Sequence, residues 1–152
     1  MRGPHLFRMA DFRKLLVWQK AHAMSLEVDE VASTIRGVQY SQLRSQLTRS
    51  SASIPTNIVE GRAQPTEREF ARFLRYAIAS ASETEYHLIT ARDKGVISDR
   101  SFESLTNQVI EVRKMLYGLV DKLTKGLANE ERPPEKPAAA EDNDEDPKEL
   151  TA

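Results

Sequence analysis

An all-α fold, an antiparallel up-down-up-down four-helix bundle with a disordered acidic C-terminal tail, is what this 152-residue sequence predicts. Three observations carry the prediction. Apolar residues recur at steps of three and four in four long segments, the pattern of a helix with one buried stripe. The breaks between the segments are only about four to six residues, which makes successive helices antiparallel. After Lys125 the periodicity gives way to Pro133, Pro134, Pro137 and Pro147, an alanine run and the acidic cluster Glu141 to Asp146, a composition that cannot bury enough surface to offset chain entropy. The sequence therefore divides into a flexible N-terminal extension over residues 1–10, a bundle over 11–125 and a Pro-rich acidic tail over 126–152.

The first helical stripe is Val17, Ala21, Met24, Val28, Val31 and Ile35. Asp11 is its expected N-cap, and Gly37 its expected left-handed end. The second stripe, Leu43, Leu47, Ser50, Ile54 and Ile58, is expected to close at Gly61 in the same way. Its small residues Ser50, Ser51, Ala52 and Ser53 point to a close neighbour. Pro55 falls inside it, removing one hydrogen bond at a cost of about 3 kcal/mol, which predicts a kink near Ser51. Side-chain hydrogen bonds from Ser53, Thr56 and Asn57 are the simpler expectation there; a shaped binding groove is the sharper one.

The third helix has the clearest start. Thr66 is placed to cap, Glu69 to cap back and Pro65 to pack on Phe70. Its apolar positions Phe70, Phe73, Leu74, Ala77, Ile78, Ala81 and Leu88 form a broad stripe, and Gly95 closes it. The fourth helix, from about Ser98, repeats Phe102, Leu105, Val109, Val112, Leu116, Leu119 and Leu123 at steps of three and four, the pattern of left-handed bundle packing.

The stretch from Ser53 through Ile54, Pro55, Thr56, Asn57, Ile58 and Val59 to Glu60 and Gly61, followed by Glu69 and Phe70, resembles the signature of the small bacterial four helix bundle protein family, also called the 23S ribosomal RNA intervening-sequence protein family. The resemblance continues in the run from Leu15 to Ala21, in Leu43 to Leu47, and in Phe73, Leu74, Ala77, Ser80, Glu83, Glu85 and Leu88, and it covers roughly Phe12 to Leu123. Within the signature, Ser53, Pro55, Asn57, Glu60 and Gly61 are expected to serve structure. Members of that family are often encoded inside inserts in the ribosomal RNA gene. The resemblance implies a homopentamer with a basic surface, and related proteins are accessory factors of reverse transcriptases in diversity-generating retroelements. It thus implies RNA or DNA as a partner, or a reverse transcriptase or other protein. The last 27 residues have no counterpart in the pattern.

Charge agrees with that expectation. Residues 1–125 hold 19 Lys and Arg against 14 Asp and Glu, while residues 126–152 hold 3 against 9, so a basic body carries an acidic tail. The tail's charge suits it to lie over the body as a polyanion mimic, against the plainer reading of a solubilising appendage. Arg68, Arg72 and Arg75 lie at steps of four and three on the third helix, with Arg62 in the loop before it and Arg44 and Arg49 on the second. These six are the candidate nucleic-acid contacts, able to hold phosphates without reading sequence. Against them stands a solvated face neutralised by Glu67, Glu69 and acids of a partner subunit. Trp18, Tyr40, Tyr76 and Tyr117 are compatible with an oligomer seam.

Catalytic and metal residues are expected to be none. Glu83 and His87 share a helix face, but a di-iron bundle needs Glu-x-x-His on two helices plus two further Glu, and the chain has only His5, His22 and His87. The six glycines are scattered singly, so no phosphate cradle is expected, nor any cofactor. The absence of cysteine excludes disulfides and thiolate sites. Met1 and Met9 both stand open as the start, and no stretch reaches the roughly 18 apolar residues of a membrane span, so a cytoplasmic protein is expected. The functional expectation is a non-catalytic, oligomeric nucleic-acid-binding accessory factor; the alternative is a protein-protein interaction scaffold.

Overall fold

The computed structural model describes residues 11–130. They form four helices, α1 (Leu16–Ser33), α2 (Ser41–Arg62), α3 (Glu67–Asp93) and α4 (Asp99–Glu130), with single 3-10 turns at Phe12–Lys14 and Val38–Tyr40. Each helix packs on the next and α1 also packs on α4, so the four enclose one core. The α2–α3 seam is the most extensive and the α1–α4 seam the least. Contacting pairs run in opposite directions along neighbouring helices. On α2 and α3, Ser50 meets Thr84 and Ser53 meets Ser80; on α3 and α4, Arg92 lies 4.2 Å over the Phe102 ring and Glu85 pairs with Arg113 at 2.7 Å. Across α1 and α4, Lys20 pairs with Glu111 and Gln108 donates to Glu27.

The apolar stripes are the core. Ala21, Met24, Ile54, Leu74, Val109 and Leu116 are wholly sealed from solvent. Val31, Phe73, Phe102, Leu119 and Leu123 are half-buried, at the margins of their stripes.

Helix ends follow the sequence less closely. Asp11 does cap a turn, but the turn is Phe12–Lys14, where its Oδ1 accepts the Arg13 backbone N–H at 3.0 Å. The Arg13 side chain donates to the same oxygen at 2.8 Å, and these two bonds hold the Asp11 carboxyl below its ordinary pKa. Leu15 is then extended, and α1 begins at Leu16. α1 ends at Ser33, before Gly37, because Thr34 turns its N–H and hydroxyl onto the Val31 carbonyl at 3.0 and 2.6 Å. Gly37, at φ +106, instead permits the backbone that leads into the second 3-10 turn.

Gly61 does not end α2, which runs on to Arg62; its role is close approach, described below. Pro55 lies within an unbroken helical run. The carbonyl that loses its amide partner is that of Ser51; on the next two carbonyls Thr56 Oγ1 donates to Ala52 at 2.8 Å and Asn57 Nδ2 to Ser53 at 2.8 Å, so side-chain bonds reinforce the turn that follows the gap. Thr66 caps α3 by accepting the Glu69 N–H at 3.1 Å. The Glu69 carboxylate pairs with Arg72 at 2.8 Å. Gly95, at φ +71, closes α3.

α4 passes the expected bundle boundary at Lys125 and continues to Glu130. The extra turn is supported because Leu127, half-buried, prolongs the stripe from Leu123. Residues 126–130 are therefore helix, and the expected disorder of the tail and of residues 1–10 falls on 131–152 and 1–10, outside the described residues. Among the described residues no helix is long and apolar enough to cross a membrane.

Candidate nucleic-acid interface

The signature residues sort by the face they occupy on α2. Ser53, Asn57 and Gly61, four apart, look onto α3. Ser53 Oγ and Ser80 Oγ share a hydrogen bond of 2.9 Å, and Asn57 Nδ2 donates to Ser53 Oγ at 3.0 Å. One turn away Thr84 Oγ1 donates to Ser50 Oγ at 2.9 Å in a buried position. A Cβ at Gly61 would stand 2.8 Å from Phe73 Cβ and 2.9 Å from Phe70 Cδ2. The seam is thus a row of short polar side chains ending in a residue with none, and it lets the two backbones approach. Pro55 is buried, while Glu60 is exposed. These side chains build the scaffold on which α3 presents its outer face.

The six arginines are not one patch. Arg44, half-buried, donates from Nη1 to the Ile35 and Gly37 carbonyls, each at 2.9 Å, clamping the α1–α2 turn. Arg49 is exposed and borders a shallow groove shared with Arg44 and with Asp29 of α1. Arg62 lies in the last turn of α2, not in a loop, with its guanidinium 5.8 Å from the Phe70 ring centroid. At 1.5 Å rise per residue, Arg44 and Arg62 stand about 27 Å apart along α2. Only Arg62 belongs to the end of the bundle that carries Arg68, Arg72 and Arg75.

Those last three are exposed on the outward side of α3. Arg72 is fixed on several sides: Glu69 Oε2 accepts from Nη2 at 2.8 Å, and the guanidinium lies 5.4 Å from the Phe73 centroid and 5.8 Å from that of Tyr76. Arg75 makes no ion pair or hydrogen bond among the described residues. Tyr76 is 45% exposed, and Tyr86, farther along the same helix, 64%. An exposed pair such as Arg72–Glu69 is worth about 0–1 kcal/mol, so a phosphate can compete for the guanidinium.

Glu83 and His87 do meet, with His87 Nε2 and Glu83 Oε1 3.3 Å apart and the imidazole buried. Among the described residues no group of three or more His, Asp or Glu side chains gathers where a metal could sit.

The model of the 23S rRNA-intervening sequence protein family matches residues 13–118. The chain belongs to that family. The match spans the α2–α3 seam and every candidate arginine, and it stops within α4 at Gly118, before the acidic sequence. Among solved structures the chain is similar to a protein of unknown function from the S23 ribosomal protein family of Bacteroides thetaiotaomicron, at 25% identity and a TM-score of 0.65, over 69% of this chain and 98% of that one. No curated protein matches it. As a 23S rRNA-intervening sequence protein the chain has its signature on the most extensive helix seam. Sequence reasoning missed the turn clamp at Arg44, whose partners are backbone carbonyls.

Proposed function

We propose that this chain is a non-catalytic, oligomeric accessory protein that binds nucleic acid through phosphate contacts on the N-terminal half of α3. The observation that supports this most directly is Arg68, Arg72 and Arg75 on one outward face, with Arg75 exposed and without an ion-pair partner among the described residues. Arg62 adds charge at the same end. In a symmetric ring such a face repeats into a continuous positive band, which attracts phosphates through counterion release and needs no base contact. Arg44 leaves the interface, since its guanidinium is engaged by the α1–α2 turn.

Fluorescence anisotropy with labelled RNA and DNA over a salt series tests the reading. Binding should weaken steeply with salt, and the triple change Arg68→Gln, Arg72→Gln, Arg75→Gln should reduce the slope of log affinity against log salt by about 2 to 3, at about 0.7 to 0.9 per lost contact, with helicity preserved. Unchanged affinity would remove the stripe. No binding even at low salt would favour the alternative, a protein-interaction scaffold, for which the exposed Leu16, Leu26 and Tyr117 offer apolar surface.

A further inference from the structure

We infer that Tyr76 is a stacking platform for an unpaired base and that the arginine face of α3 therefore takes single-stranded nucleic acid in preference to duplex. The inference rests on the phosphate-binding reading above and adds to it the class of strand.

Phosphate contacts alone do not distinguish single strands from duplexes. A protein prefers a single strand when it also offers an aromatic face that an unpaired base can cover, because the bases of a duplex are already stacked on one another. Such a platform needs open area, fixed orientation and cations close enough to hold the neighbouring phosphates. Tyr76 meets the first, with nearly half of its surface open although it sits mid-helix. It meets the second through its neighbours: the Phe73 ring meets it edge-on, with centroids 5.7 Å apart and planes at 81°, and the Arg72 guanidinium lies 5.8 Å from its centroid. The Arg72 guanidinium also lies 5.4 Å from the Phe73 centroid, a contact that does not depend on the Glu69 pair. These contacts set the orientation of the ring in part before binding, which favours affinity.

The third requirement is met by sequence position. Arg72 lies one turn back with its guanidinium against the ring, while Arg75, the preceding residue, projects about 100° around the helix from Tyr76 and supplies a cation on the flank of that face. From Arg68 to Arg75 the helix advances about 10 Å, enough for a short stretch of one strand to lay phosphates against the guanidinium groups while one base turns onto Tyr76. Stacking on a tyrosine is tolerant of base identity, so the preference is for strandedness and not for sequence.

The test is anisotropy with one labelled RNA oligonucleotide, as single strand and as the matching duplex, on the full chain and its Tyr76→Ala and Tyr76→Phe variants, with sedimentation of each. Tyr76→Ala should weaken single-strand binding by about tenfold, leave duplex binding within about twofold and keep the salt slope, since stacking releases no counterion. Tyr76→Phe should bind like the parent. Equal loss on both substrates, or none on the single strand while the arginine variants still weaken binding, would overturn the platform and leave the phosphate reading intact. A parent chain that binds neither substrate would overturn both. A change in subunit number in Tyr76→Ala would assign the ring to a subunit contact and also overturn it.

Discussion

Gly61 holds an empty position where a methyl group would strike Phe73 Cβ and Phe70 Cδ2 at under 3 Å. An alanine there gains up to about 1 kcal/mol of helix propensity but forces α2 and α3 apart, and overpacking of a fixed seam costs about 1–3 kcal/mol. Gly61→Ala should therefore lower the urea midpoint; an unchanged or raised midpoint would show that the phenylalanines give way. In the sequence this glycine reads as a helix end, because a lone glycine is the same letter whether it supplies a positive φ or merely makes room. Gly95 is the contrasting case, with a positive φ that its position after Lys94 announces. The serines were legible only in part. Their small size signals proximity, but Ser50 with Thr84 and Ser53 with Ser80 are matched across 34 and 27 residues of chain, and no local pattern records which hydroxyl meets which.

At the scale of the element, the stripes on all four helices translated into core almost residue for residue, since burial obeys the 3.6-residue period directly. The ends did not, because each end is a contest between local hydrogen bonds. Thr34 stops α1 before Gly37 can, and Leu127 carries α4 beyond Lys125. The arginines show the same division. Arg68, Arg72 and Arg75 keep the outward face that their spacing predicts, whereas Arg44 is drawn off by two carbonyls that become available only once α1 has turned. Arg44→Gln should thus destabilise the fold by about 1.5–3 kcal/mol, the range for hydrogen bonds to a charged donor, and leave phosphate binding nearly unchanged. Thermal unfolding beside a salt titration checks both halves. Weakened binding without lost stability would return Arg44 to the interface.

For the whole molecule, the antiparallel pairings bring the C-terminal part of α4 to the end of the bundle where α3 begins. Gly126 shows this, its Cβ position being 3.9 Å from Glu67 Oε2. The sequence after Glu130 therefore starts at the end of the molecule that carries Arg62, Arg68, Arg72 and Arg75. Residues 131–152 hold eight Asp and Glu against three Lys and Arg. A chain ending at Glu130 should bind RNA more tightly than the full chain, with the gap closing as salt screens both; equal affinities at low salt would make those residues bystanders.

The extra turn of α4 has a consequence for how such a competition scales. Carboxylates joined covalently to their own target act at an effective concentration that does not change on dilution. Occupancy of the arginines by these acids would be the same in a nanomolar solution as in a crowded one. A separate peptide of residues 131–152, added at micromolar levels to the shortened chain, should restore less of any inhibition than covalent attachment does.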